Sequence, residues 1–257
     1  MNLGTRSFAL ITLALALAGA VKVSAAENAK EYIVKYRNAS AVLSTMAVDG
    51  AQITGQHEPG QYYTVKIAKK DEVKSLVSLI TNPAVQYVVP NAKVKAFEVP
   101  VTDQALKEQW AIAKIQAEEA WKIAGNKGSK NVVVAVIDTG VDYNHKNLAP
   151  NMIKGFDFIK NNEDPMDITS GQNPGHGTHC AGIVGASGLI DGGTTGMSAE
   201  VSIMPLRFLD EKGSGDLNNG IKAIDYAIAK KVDVISASWG AAIPRKQAMP
   251  LIEAIAR

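Results

Sequence analysis

Val132-Val133-Val134-Ala135-Val136-Ile137-Asp138-Thr139-Gly140 is the stretch whose reading decides the fold. Its first six residues are all apolar and five are β-branched, which fits a strand covered on both faces rather than one with a wet side. Strands of that kind sit inside parallel sheets flanked by helices. Asp138 then falls at the strand's carboxyl end, the edge along which such sheets gather their ligands.

Toward the carboxyl terminus, two further strands are predicted, Val201 to Phe208 and Val232 to Ala237. Between them runs a helix from about Leu217 to Lys230, with Ile221, Ile224 and Ile228 on one face and Asp216 as N-cap. Strands alternating with helices predict an α/β domain with a mostly parallel sheet and right-handed crossovers. Pro250 to Arg257 has the apolar spacing of another helix, and the residues stop before a cap or a following strand. Helix faces left without their strands are expected to make the isolated chain marginally stable or aggregation-prone.

Toward the amino terminus, Asn126-Lys127-Gly128-Ser129 punctuates the chain. Trp110, Ile112, Ile115, Ala120 and Trp121 suggest short helical pieces, and the Pro100-containing stretch 99–109 reads as a linker. From Glu31 to Phe97 a small α+β unit is predicted. Its strands are Tyr32–Tyr36, Tyr62–Ile67 and Val85–Val89, and its amphipathic helix, Asp71 to Ile80, carries Val73, Leu76, Val77 and Ile80 as the apolar face.

Residues 1–25 have the three parts of a secretory signal peptide: Arg6, the apolar run Phe8 to Ala20, and the small-residue site Val23-Ser24-Ala25. That run falls short of the roughly 20 residues needed to span a bilayer, so export without a membrane anchor is expected. Cleavage removes Arg6 and Lys22 and no acid, so the 27 basic residues fall to 25 against 25 acidic ones. A neutral balance gives no case for nucleic acid. With 257 residues, 46% of them apolar, the chain can bury a sizeable core. Cys180 is its only cysteine, so no intrachain disulfide is available. The expected division is 1–25 signal peptide, 26–98 amino-terminal domain, 99–130 linker and start of the mature region, and 131–257 α/β domain.

The chemistry lies in Asp138 and in Gly175-His176-Gly177-Thr178-His179-Cys180-Ala181-Gly182. A serine hydroxyl needs a base to take its proton and an acid to hold that base in one tautomer, and histidine has the pKa for the first task. Glycines beside His176 and at Gly140 let the backbone come close. Asp138-Thr139-Gly140-Val141-Asp142 and His176-Gly177-Thr178-His179-Cys180-Ala181-Gly182 resemble the aspartate and histidine signatures of the subtilisin-like serine proteases, the subtilases, in the same chain order. Val232 to Gly240 resembles the strand whose end, Ser238-Trp239-Gly240, lines the primary specificity pocket. Gly213-Ser214-Gly215 resembles the segment that pairs with substrate backbone.

The resemblance implies Asp138 as orienting acid, His176 as general base and polypeptides as substrates. The fold it implies is a subtilisin-like, mostly parallel sheet flanked by helices, incomplete here, after a small ferredoxin-like α+β propeptide domain that inhibits its own protease. The family's Gly-Thr-Ser-Met-Ala nucleophile motif and Ala-Gly-Asn oxyanion segment are missing. Gly196-Met197-Ser198-Ala199 is only superficially similar and comes too early in the chain for Ser198 to be the nucleophile.

Asp157, Asn161, Asn162, Asp164 and Asp167 offer the oxygen ligands calcium prefers, on a segment that resembles a calcium loop of some thermostable subtilases. Asn147 stands where many relatives place a calcium-binding aspartate, which argues against a second site. His176 and His179 have metal-pair spacing but lack the glutamate of His-Glu-x-x-His, so His179 is assigned a structural role. His57 and His145 are placed on exposed loops, and Cys180 as a buried spectator thiol.

Two readings follow, an exported serine endopeptidase precursor, and a non-catalytic protein that inhibits or chaperones subtilases through its propeptide. Loss of the triad serine costs on the order of a millionfold in turnover. The 257-residue chain is therefore expected to show no labelling by an active-site-directed fluorophosphonate, and a labelled band would refute this.

Overall fold

The computed structural model describes residues 29–37, 48, 50–96, 109–168, 170, 171, 173–189 and 193–257. The predicted signal peptide and residues 99–108 of the stretch read as linker lie outside them.

The amino-terminal unit comprises β1 (Ala29–Tyr36), β2 (Ala51–His57), β3 (Tyr62–Ala68), α1 (Glu72–Thr81) and β4 (Val85–Pro90). The strands form an antiparallel sheet in the order β2-β3-β1-β4, which is the ferredoxin-like order. Alternation along β1 serves two cores at once. Tyr32, Val34 and Tyr36 pack with Val65, Ile67 and Leu79 inside the unit, while Ile33 joins Tyr62 and Val89 in the core of the larger domain.

Helix α1 lies where the apolar spacing predicts but is turned differently. Ser75 and Leu79 are buried, and Leu76 of the predicted face packs against the same core, whereas Val73, Val77 and Ile80 are 78, 56 and 66% exposed. Apolar residues occur around more than one side of this helix, and the contact uses the side where small Ser75 permits close approach. His57 also departs from expectation: it ends β2 with its side chain only 11% exposed, and Nε2 pairs with Asp225 rather than with solvent.

The chain continues through β5 (Lys93–Ala96), α2 (Trp110–Lys114), α3 (Ala117–Ala124), β6 (Val133–Asp138), β7 (Phe156–Asp157), α4 (His176–Gly185) and β8 (Ser202–Arg207). Next come β9 (Ser214–Asp216), α5 (Leu217–Ala229), β10 (Val234–Ser236), β11 (Trp239–Gly240) and α6 (Met249–Ile255). The main sheet is parallel, in the order β10-β6-β8-β7. Strand β6 is central and covered on both sides, as its composition predicts. Val134 and Val136 pack with Cys180 and Ala181 of α4, and Ala135 and Ile137 with Leu217, Ile221 and Ile224 of α5.

Asp216 caps α5 by accepting from Asn219 N at 3.0 Å. Ile228, predicted on the buried face of α5, is 39% exposed, because it lies in the last turn beyond the cover of the sheet.

The amino-terminal unit docks on α5 and α6 through apolar contacts and a polar cluster. The Tyr62 hydroxyl donates to Glu253 Oε2 at 2.7 Å, and Lys35 pairs with the same carboxylate. Asp225 lies between His57 and Arg257. Burial raises its carboxyl pKa, but the hydrogen bonds from His57 and Arg257 outweigh that and hold it below the usual carboxylate range.

These burials predict opposite outcomes on α1. Leu79→Ala should cost about 2–5 kcal/mol in urea unfolding, the range for a fully buried leucine. Val77→Ala should stay within about 0.5 kcal/mol.

Candidate active site

Strand β6 ends at Asp138, 1% exposed, and α4 begins at His176, 8% exposed. His176 Nδ1 lies 2.7 Å from Asp138 Oδ1. A carboxylate accepts, so Nδ1 carries the proton and Nε2 is left as the basic nitrogen. Thr139 N donates to the same Oδ1 at 2.7 Å and fixes the carboxylate, while Oδ2 has no hydrogen-bond partner among the described residues.

Two glycines allow this approach. A Cβ on Gly177 would lie 2.1 Å from Gly140 O and 3.0 Å from Asp138 Cβ, so no larger residue lets α4 start against the end of β6. Gly140 has φ +109°, and a Cβ there would meet Pro165 O at 2.6 Å.

The Asp138 hydrogen bond, with a lesser contribution from the Cys180 thiol 3.9 Å away, outweighs burial and raises the His176 pKa to about 10. Asp138 therefore favours the imidazolium, the form His176 reaches when Nε2 takes a proton. Ligand-capable atoms of Asp138, His176 and Cys180 lie within 4.8 Å of one another, and His179 is not in this group. His179 instead lines a cavity of about 700 Å³ with Trp110, Ile112 and Ile183. His145 is exposed, as expected, and its Nδ1 accepts from Asn147 N.

A groove is formed by the other segments singled out in the sequence. Strands β9 and β11 flank β5 in an antiparallel sheet, with Val94 opposite Gly215, Lys95 opposite Ser214 and Gly240, and Ala96 opposite Trp239. Ala96 N donates to Gly213 O at 2.7 Å. Val94 and Ala96 point inward, and Lys93 and Lys95 outward. Ser238 precedes β11, whose Trp239 turns its side chain into the core, donating to Ile137 O at 2.9 Å and packing edge-on against Phe208. Trp239 thus meets β5 through its backbone.

Several oxygens of the acidic loop are bonded to protein donors. Both carboxylate oxygens of Asp157 are engaged, Oδ1 by Ile159 N and Lys160 N and Oδ2 by Arg207. Asp167 is likewise committed to protein donors. Asn162 Oδ1 accepts from Asp164 N, Asp164 accepts from the Tyr143 hydroxyl, and Asn161 takes a left-handed turn conformation with φ +55°. Asn147 donates to Thr194 O and accepts from Ser187 Oγ and Gly188 N, so a neutral amide holds that loop. Ser198 N donates to Val184 O at 2.9 Å, near the carboxyl end of α4.

The family model for the subtilase family matches residues 129–257. The chain belongs to the subtilase family. It is 38% identical over 175 residues to a thermophilic serine proteinase of Bacillus sp. strain AK1, covering 68% of this chain and 42% of that protein. It is 39% identical over 135 residues to thermitase of Thermoactinomyces vulgaris, covering 52% of this chain and 46% of thermitase. The chain thus spans less than half the length of these subtilases. The crystal structure of fervidolysin from Fervidobacterium pennivorans, a keratinolytic enzyme related to subtilisin, superposes with a TM-score of 0.65 over 89% of this chain and 38% of fervidolysin. At 20% identity that likeness speaks for the fold alone.

The raised His176 pKa has a stability consequence with a definite sign. A folded-state pKa of about 10 against 6.5 unfolded contributes stability that is complete below pH 6.5 and is lost as pH rises toward 10. The melting temperature should fall between pH 7 and pH 10, and Asp138→Asn should flatten that dependence.

Proposed function

We propose that residues 1–257 belong to an exported serine endopeptidase of the subtilase family, made as a precursor. The observation that carries this is the buried 2.7 Å contact between Asp138 and His176 at the carboxyl end of the central strand. The serine that attacks is not assigned among these residues. In the reaction its oxygen adds to the peptide carbonyl carbon while His176 Nε2 takes the hydroxyl proton, and Asp138 holds the imidazolium through Nδ1. His176 returns that proton to the leaving amine, and water then hydrolyses the acyl-enzyme by the same route.

Residues 26–98 act in this reading as the inhibitory propeptide. In support, β5 runs as the middle strand between β9 and β11, the place an extended polypeptide substrate would take beside the dyad. Val94 and Ala96 fill the inner side, so the groove suits peptides with a medium aliphatic and a small residue two places apart. The filled groove also supports the second reading, a non-catalytic chain acting on other subtilases as inhibitor or chaperone. Calcium on the 157–167 loop, proposed from the family likeness, would have to rely on Asn162 and Asp164, since Asp157 and Asp167 are already bonded to protein donors.

The deciding experiment takes the protein exported by its source and assays an extended peptide anilide, with His176→Ala alongside. The unsubstituted protein should turn over, and the substitution should remove on the order of a millionfold in kcat. Equal turnover by both would exclude His176 as the base. No turnover by either, with tight inhibition of a related subtilase by residues 26–98, would establish the second reading.

A further inference from the structure

Asp167 is 7% exposed and carries no part of the chemistry so far described, yet its carboxylate accepts four hydrogen bonds from protein donors. Oδ1 accepts from the Thr139 hydroxyl at 2.7 Å and from Ile168 N at 2.7 Å. Oδ2 accepts from Thr178 N at 2.8 Å and from the Thr178 hydroxyl. Thr139 follows Asp138 directly, and Thr178 lies two residues beyond His176. One carboxylate therefore grips both halves of the dyad through their neighbours.

The threonines extend the grip. Thr139 Oγ1, while donating to Asp167, accepts from Gly177 N at 2.9 Å. Thr178 Oγ1, while donating to Asp167, accepts from Asp142 N at 2.8 Å. Both hydroxyls are thus used in both directions, which fixes their rotors. Helix α4 needs this help, because its N-cap is Gly175 at φ +72°, which offers no capping side chain. The first-turn N–H groups of Gly177 and Thr178 would otherwise be orphaned, and Thr139 and Asp167 cap them from outside the helix. A negative charge at this end also suits the helix dipole.

We propose that Asp167 is a positioning residue for the Asp138–His176 pair, a buried carboxylate that caps α4 from across the loop and locks its first turn to the exit of β6. The proposal rests on the reading of that pair as catalytic, and gives Asp167 a different task from calcium binding. The carboxylate form is required. In Asp167→Asn an amide N–H₂ would face either the Thr178 N–H or the Thr139 hydroxyl that now serves Gly177, so at least one link must break.

The test is proton NMR of the downfield Nδ1–H resonance of His176, which reports its bond to Asp138 whether or not the protein hydrolyses peptides. It compares the full chain with Asp167→Asn, Thr139→Val and Thr139→Ser. The resonance should be present in the full chain, lost in Asp167→Asn and in Thr139→Val, and kept in Thr139→Ser, which retains the hydroxyl. A merely structural role would lower the melting temperature and leave the resonance of the folded protein unchanged, and that result would overturn the proposal. Should Asp167→Asn fail to fold, Thr139→Val, nearly isosteric and without a charge change, decides alone. Absence of the resonance from the unsubstituted chain would also overturn it. Failure of the peptidase assay beside a normal resonance pattern would count against the protease reading and not against this one.

Discussion

Everything at the site depends on how closely the first turn of α4 can stand against the last residues of β6. That spacing is set by backbone, since the Gly140 carbonyl occupies the place a Cβ on Gly177 would need, and it accompanies the 2.7 Å contact of Asp138 with His176. Strand β6 supplies the rigidity. Covered on one side by α4 and on the other by α5, it is held in a dry layer where a charged carboxylate must find its partners inside the protein. The raised basicity of His176 is the electrostatic expression of that constraint.

Much of this was legible because periodicity and composition act locally. The unbroken apolar run before Asp138 could only be a doubly covered strand, and Asp216 could be read as a cap from its place before an apolar helix. Strands β1, β3, β4, β6, β8 and β10 lie where alternation or β-branching puts them. The segments 213–215 and 238–240 were marked by family likeness rather than by pattern. Their meeting on either side of β5 is a tertiary fact that no local signal announces.

What the sequence concealed was pairing over distance. Nothing near His57 hints at Asp225, and the sequence gives no sign of the strand β2 that carries it there. The orientation of α1 was misjudged for a related reason: two apolar arcs compete on that helix, and the sheet accepted the one with the smaller residue. Asp157 and Asp167 look like metal ligands when counted as oxygens in a loop. In three dimensions both also accept hydrogen bonds, from Arg207, from main-chain N–H groups and from two threonines.

Strand β5 has a bearing on the order in which the molecule assembles. It pairs Ala96 with Trp239 and Lys95 with Ser214, partners separated by about half the chain or more. Contacts between segments so far apart in the chain carry a loop-closure cost and tend to slow folding. The local hairpin of β2 and β3 and the nearby β1 can collapse early by comparison. The three-stranded ladder is thus the part of the described fold that ties its amino-terminal and carboxyl-terminal segments together.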